Sequence, residues 1–473
     1  MSIAADVIER MPVGPAHRKM FWLLGAGMLI DAFELFMQSG VLASMVNDGF
    51  IGNAGVAQFI FATFIGLAVG SVVSGRLADR FGRKFVYQFN LLLFSVTTLL
   101  TALAPSLLLV TALRFLAGIG LGGELVVGYA IMSEMTPAYC RGRWGVTLGL
   151  LVNSAQPISA FVGAYFLPLV GWRWMFVIGA LPAFAVWFLR RSLPESPRWL
   201  ERQGRTDEMH GVLDQLWFEN TGAKHRPAAS VIPPVLEAEL PWTALFSKGR
   251  LHRTIFCFVM IALIFSSQYG FISWVPSLLL HLGHGIVHSL VYSATMALGA
   301  PVGMLVPVLL IDRVGRRAIV CGATLCAGLV GMLYAFSLNA QPWVLVVTGF
   351  LEVFFLQIAS NSIIAVYIPE LFPTDVRGTG LGAATAVGRV AAGTMPYLVL
   401  AVLQTFGQVS VFAMLACILL ALCLIVLVFG PETRRQTLEQ VSPQSNNTSV
   451  ESAAAKSELL NDHQNASGDI AHG

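Results

Sequence analysis

Twelve apolar runs, each close to or above the ~20 residues a helix needs to cross a bilayer, decide what this chain can fold into. They fall at 20–46, 55–75, 85–103, 107–133, 144–168, 172–190, 253–281, 286–311, 318–338, 343–368, 379–405 and 408–429. The runs are too long for strands and lack the weak alternation of a membrane barrel. Helices keep every backbone hydrogen bond internal, as lipid demands, so the expected fold is an all-α membrane protein with twelve spans. Composition agrees: 56% of residues are hydrophobic and 12% charged, where a soluble domain carries roughly 25% charged residues. That balance excludes an ordinary soluble enzyme, and a net charge of +3 does not point to nucleic acid.

The basic residues set the orientation. Of the 29 Lys and Arg, all but Arg114, Arg173 and Arg389 fall in the N-terminus, the tail, the segment 190–253 or alternate short loops, while the other loops hold none. By the positive-inside rule both termini and the central linker are cytoplasmic, and the protein is multi-pass in the cytoplasmic (inner) membrane. The expected organisation is a cytoplasmic N-terminus (1–19), a six-helix bundle (20–190), a linker with an amphipathic helix at 196–219 (191–252), a second six-helix bundle (253–429) and a mostly disordered tail (430–473). The N-terminus carries Asp6 and Glu9 and no small-residue cleavage site, so no cleaved signal peptide is expected.

The two sets of six share a charge pattern. Gly75-Arg76-Leu77-Ala78-Asp79-Arg80-Phe81-Gly82-Arg83-Lys84 follows the second run, and Ile311-Asp312-Arg313-Val314-Gly315-Arg316-Arg317 follows the eighth. Glu134 to Gly142 follows the fourth run as EMTPAYCRG, and Glu370 to Gly378 follows the tenth as ELFPTDVRG. Repeats related by an axis along the membrane normal place a cargo site between the halves near the midplane, reached when one half rocks against the other.

With Arg114 to Gly120 (R-x-x-x-G-x-G), Pro194 to Arg198 (P-E-S-P-R) and Pro431 to Thr433 (P-E-T), these motifs make residues 18–432 resemble a major facilitator superfamily transporter. Within it the chain is similar to the sugar-porter-like metabolite group, which includes bacterial niacin and aromatic-acid proton symporters. The second D-R-x-G-R copy departs from the pattern, with Val308 at the leading Gly position. The resemblance implies two six-helix bundles related by a pseudo-twofold axis, and an inner gate network of Asp79, Arg83, Glu134, Arg141, Asp312, Arg316, Glu370 and Arg377. Physically, such an Asp can accept charge-assisted bonds from an Arg of the opposite half or of the neighbouring helix. The plainer reading, topology anchoring by the basic residues, leaves the four acidic positions unexplained.

Six ionisable residues lie inside the runs: Asp31, Glu34, Arg114, Glu124, Glu352 and Arg389. A central charge costs about 2.5 to 3.5 kcal/mol on insertion scales, so such groups face the bundle interior and mark pathways or proton relays. Asp31 and Glu34 share a helix face, and the axial gap from Glu34 to Arg114 is ~8 Å, which two long side chains can partly bridge. A carboxylate holds its charge beside Arg and takes up a proton when the Arg is drawn away, which couples protonation to conformation. The resemblance places Glu34 where proton-coupled sugar porters carry their titrating Asp and Arg114 where they carry its partner, with Asp31 as helper; a static ion pair is the alternative. Arg389 among small residues suits a bidentate carboxylate cargo, or pairing with Glu352. Glu124 reads as a packing or gating residue.

Phe33, Tyr269, Trp274 and Phe354, with Gln156, Gln357 and Asn361, are candidate cavity residues, although packing alone would account for the aromatics. The glutamine signature of sugar porters is missing, because Leu263, Ile264, Ser267 and Tyr269 stand at its positions. Gly118-x-Gly120-x-Gly122-Gly123 lies inside an apolar run and reads as a helix-crossing surface, so no cofactor is expected. The tail sequons at Asn446 and Asn465 should be unmodified, His281, His284 and His288 are not read as a metal site, and the six cysteines read as packing residues. No P-loop and no catalytic constellation occur. The expected function is a monomeric proton symporter of a small organic carboxylate, aromatic acids included, with a sugar or polyol porter or a proton-driven exporter as alternatives; its partners are cargo, protons and the lipid bilayer.

Overall fold

The computed structural model describes residues 3–223, 226, 242–247, 250–283, 285–338, 340–372 and 376–432, without the side chains of His281, Asp312 and Arg377. The tail sequons, His284 and much of the central linker lie outside the described residues.

Lipid-length helices form where the runs predict them. The first six spans are α2 (Pro15–Asn47), α3 (Asn53–Phe81), α4 (Arg83–Ala102), α5 (Leu107–Met135), α6 (Ala138–Val170) and α7 (Trp172–Leu189). The second six are α10 (Leu251–His281), α11 (Ile286–Ala297) continued by α12 (Gly299–Val314), α13 (Arg316–Ser337), α14 (Pro342–Asn361) continued through a π-helical turn into α15 (Ile368–Leu371), α16 (Arg377–Phe406) and α17 (Gln408–Phe429). Two runs break where proline removes a donor. Pro301 cannot bond back to the carbonyl of Ala297, where α11 ends, and Pro369 follows the wide turn Ser362–Tyr367.

Packing repeats with the sequence. In the first half α2 lies on α6, α3 and α4 on α5, and α4 on α7; in the second α10 lies on α16, α12 and α13 on α14, and α13 on α17. The halves meet through α3 against α16, α2 against α10, and α6 against α11 and α12. The glycine-rich run of α5 is a helix-crossing surface: a Cβ on Gly118 or Gly122 would strike the carbonyl of Thr63 or Leu67 on α3.

The turns α3–α4 and α12–α13 rest on Gly82 at φ 100° and Gly315 at φ 106°. Beside each lies a carboxylate from the chain that follows the half's last span. Glu195 accepts the backbone N–H of Arg83 at 2.9 Å, and Glu432 accepts that of Arg316 at 3.1 Å. The P-E dipeptides of both halves therefore cap the start of α4 and α13, a use the motifs alone do not state. Gly82→Ala meets both a disfavoured φ, costing roughly 1–2 kcal/mol, and the Glu195 carboxylate, so the purified variant should melt several degrees below wild type.

Below the first half sits a small helical cap. The linker segment folds as two helices, α8 (Pro197–Arg202) and α9 (Thr206–Thr221), where a single amphipathic helix is expected, and Gly204 makes the bend at φ 71°. Their apolar faces are covered by α1 (Ile3–Arg10): Val7, Ile8 and Met11 pack with Trp199, Leu200, Met209, Leu213 and Leu216.

Candidate functional site

Glu34 and Arg114 meet in the interior of the first half. Arg114 Nη1 donates to Glu34 Oε1 at 2.5 Å, and its Nη2 donates to Thr98 Oγ1 at 2.9 Å and Thr101 Oγ1 at 3.4 Å. The guanidinium lies 4.8 Å from the Phe176 ring centroid and 5.8 Å from that of Phe59, so aromatic faces complete its surroundings. Glu34 Oε2 has no hydrogen-bond partner among the described residues and points into space left by Gly179. One carboxylate oxygen is thus committed to Arg114 and the other is open to a proton.

A second buried pair lies nearer the basic end, the end that carries the α3–α4 and α12–α13 turns. Arg190, expected as the first basic residue of the linker, is fully buried and ion-paired to Glu124. It also donates to the carbonyls of Leu23 at 2.9 Å and Leu24 at 3.2 Å and to the Tyr87 hydroxyl at 2.9 Å, and lies 4.0 Å from the Tyr87 ring centroid. Gly27 makes this possible, since a side chain there would overlap the guanidinium. The correction has a physical cause: Arg190 stands at the last turn of an apolar run beside Arg191, and charge counting cannot tell which of the two turns inward. The sequence signal was Glu124, a buried acid with no assigned cation. Asp31 lies within electrostatic reach of Glu124, Arg190 and Glu34, and neither of its oxygens has a hydrogen-bond partner among the described residues.

In the second half Arg389 and Glu352 do not pair. Arg389 is buried in the α3–α16 seam and donates to the Leu67 carbonyl at 2.8 Å, its one hydrogen-bond partner among the described residues. Glu352 faces Gly331 and Tyr334 on α13, on the far side of α14. Helix rotation decides this, because α14 turns Glu352 toward α13 while Val353 faces the centre.

A small cavity of about 30 Å³ lies between the halves, lined by Phe36, Ser39, Gln156, Phe271, Val275, Ser293 and Val353 among others. Of the expected cargo residues only Gln156 lines it, and Arg389 does not. Tyr269 packs between Phe64 at 4.6 Å and Phe265 at 5.5 Å on the Arg389 side of α10, and Trp274 is buried in the core. Phe33 is partly buried against the core, and Phe354 packs on Phe355 at 5.1 Å. Asn361 donates to its own helix at the Gln357 carbonyl, and the Gln357 side chain bonds Gln268 and Asn153. Neither Gln268 nor Asn153 is legible as a site residue, because an uncharged amide in an apolar run carries no distinguishing signal.

At the basic end, Arg83 pairs with Glu134 at 3.1 Å and Asp79 at 2.8 Å, and Arg316 pairs with Glu370 at 2.8 Å. Each of these pairs joins neighbouring segments of one half. Arg141 departs from the motif-based expectation and pairs with Glu9 of α1 at 3.1 Å, a carboxylate that Arg198 also approaches at 3.6 Å. The apolar face of α1 brings Glu9 there. The Asp312 and Arg377 side chains lie outside the described residues.

Residues 53–444 match the family model described as "Sugar (and other) transporter". The chain belongs to this family. It is 32% identical over 445 residues to the inner membrane metabolite transport protein YdjE of Escherichia coli (strain K12), covering 92% of this chain and 97% of that protein. It is also 32% identical over 435 residues to the niacin transporter NiaP of Acinetobacter baylyi, covering 92% and 98%. Among solved structures, the xylose transporter XylE from E. coli in a partially occluded inward-open conformation superposes with a TM-score of 0.71 at 18% identity, over 89% of this chain and 99% of that one. That likeness concerns the fold. The protein is therefore a multi-pass membrane protein and a secondary transporter of small molecules in the major facilitator superfamily, not an enzyme.

Proposed function

We propose that the protein is a proton-coupled symporter of a small aromatic carboxylate, working as a monomer in the cytoplasmic membrane with its basic end and both termini in the cytoplasm. The observation that carries the cargo class is Arg389, a buried cation between the halves whose hydrogen-bond partner is a backbone carbonyl, so its charge is left for an anion. Proton coupling is assigned to Glu34 and Arg114, with Asp31 assisting. Support for the carboxylate comes from the Acinetobacter baylyi relative, named a niacin transporter, since niacin is an aromatic carboxylic acid. A sugar cargo is disfavoured by Leu263, Ile264, Ser267 and Tyr269 at the four positions of the sugar-porter signature.

In the proposed cycle the bundles 20–190 and 253–429 rock about the cavity. Cargo draws on Arg389, Gln156 and Gln357, while Tyr269, Trp274 and Asn361 shape the helices around them. The clusters of Asp79, Arg83, Glu134 and Arg141, and of Asp312, Arg316, Glu370 and Arg377, bias the two facing states. Binding of nicotinate, benzoate and xylose to purified protein at pH 5.5 and 7.5, read by thermal shift, tests the class. Stabilisation by the acids, stronger at pH 5.5, is expected; stabilisation by xylose alone overturns the cargo. Arg389→Ala should weaken nicotinate binding at least tenfold while folded yield stays within twofold of wild type, and parallel loss of both would assign Arg389 to structure.

A further inference from the structure

Three primary amides form a hydrogen-bonded chain across the middle of the molecule. Gln268 Nε2 on α10 donates to Gln357 Oε1 on α14 at 3.0 Å, and Gln357 Nε2 donates to Asn153 Oδ1 on α6, in the other half. Asn153 is steadied from its own helix, where its Nδ2 donates to the Gly149 carbonyl at 2.9 Å. Gln268 and Gln357 are buried, so this chain is not a surface contact.

Its place relative to the cavity is the same on all three helices. Gln156 lines the cavity one turn beyond Asn153, Ile272 one turn beyond Gln268, and Val353 one turn beyond Gln357, each displaced away from the basic end. The amides therefore form a layer one turn below the lining of the cavity, a floor on the side of the basic end, and the Asn153–Gln357 bond ties the two halves together there. One turn further toward the basic end, Met304 of α12 lies against Gly149 of α6 and backs the floor with an apolar contact.

We propose that Asn153, Gln268 and Gln357 are a cargo-operated latch: in the empty carrier they satisfy one another and close the way to the basic end, and a cargo carboxylate replaces the bond between the halves. The chemistry suits the exchange. A carboxylate offers acceptors to the amide N–H groups of Gln357 and Gln268 on one side and of Asn153 on the other, so the donor that Gln357 frees when the bridge opens is satisfied, while Asn153 Oδ1 gives up its partner. A cargo lacking such acceptors would have to break the bridge without replacing it, which makes the latch a selectivity element as well as a gate. An uncharged latch also leaves the proton to Glu34, so cargo and proton act on separate groups.

The inference rests on the carboxylate reading above for its cargo, whereas the closed floor can be tested without any cargo. Ser39 lines the cavity on the far side of the amides from the basic end. The thiol introduced by Ser39→Cys, probed in oriented vesicles with a membrane-impermeant maleimide applied at the basic face, reports passage through the floor. Asn153→Leu and Gln357→Met, each placed in that background, should speed labelling about tenfold and weaken nicotinate binding at least tenfold in purified protein. Because the two variants approach the bond from opposite halves, either one decides the matter should the other fail to fold. Unchanged labelling in both overturns the latch. Faster labelling in the variants, where protein with the intact amides binds neither nicotinate nor benzoate, would uphold the closed floor and overturn the carboxylate as its key, and with it the cargo proposed above.

Discussion

Glu34→Gln is expected to abolish uphill accumulation of cargo in proteoliposomes with an imposed proton gradient, while counterflow exchange of labelled against unlabelled cargo continues near the wild-type rate. The reason lies in how the carboxylate is held. Glu34 Oε1 accepts from Arg114 at 2.5 Å and Oε2 has no partner among the described residues, so the side chain is both charge-compensated and able to take a proton. A glutamine keeps the shape and can still accept a bond from Arg114 but cannot change charge, which leaves the rocking step intact and unlinks it from the proton. Exchange needs only rocking with cargo bound; accumulation needs the proton. Retained accumulation in Glu34→Gln would move the coupling to Asp31, and loss of exchange as well would make the Glu34–Arg114 pair a structural one.

The largest stability effect should come from Arg190. Arg190→Leu leaves Glu124 in the interior without its cation and strips the Tyr87 hydroxyl and the carbonyls of Leu23 and Leu24 of a donor. Removing one partner of a buried pair costs roughly 3–5 kcal/mol, because the remaining charge stays desolvated. Folded yield in mild detergent, followed by fluorescence-detected size exclusion, should fall severalfold or vanish. Adding Glu124→Leu should recover most of that loss, since two apolar side chains of similar volume need no compensation. A double variant as poor as the single one would show that the guanidinium acts through its bonds to α2 and Tyr87 rather than through Glu124.

These two pairs mark where legibility in the sequence ends. Glu34 and Arg114 interrupt long apolar runs inside their ends, and the lengths of the runs place them within ~8 Å of one another in depth, so their pairing is open to inference from the runs. Arg190 belongs to an equivalent pair and cannot be inferred in that way. It sits at a run boundary, where a basic residue is the ordinary sign of the cytoplasmic face, and only the seating of α7 against α2 and α4 draws it inward. Glu9 is hidden for a related reason. Its partners Arg141 and Arg198 are 132 and 189 positions away, joined to it by the packing of α1 on α8 and α9. The amide floor is hidden more deeply, because Asn153 and Gln268, the partners of the candidate Gln357, are uncharged and the three occupy unconnected helices.

By itself the sequence determined the number, length and alternation of the spans, the division into two related halves and the turns built on Gly82 and Gly315. Each of these follows from a local rule: lipid demands about 20 apolar residues in a helix, and a left-handed turn demands glycine. The tertiary structure alone decided which charges pair, which polar groups face the cavity and that Arg389 meets a carbonyl rather than Glu352. Those outcomes depend on the rotation of each helix about its own axis and on its choice of neighbours, and both are set by the summed packing of every helix at once.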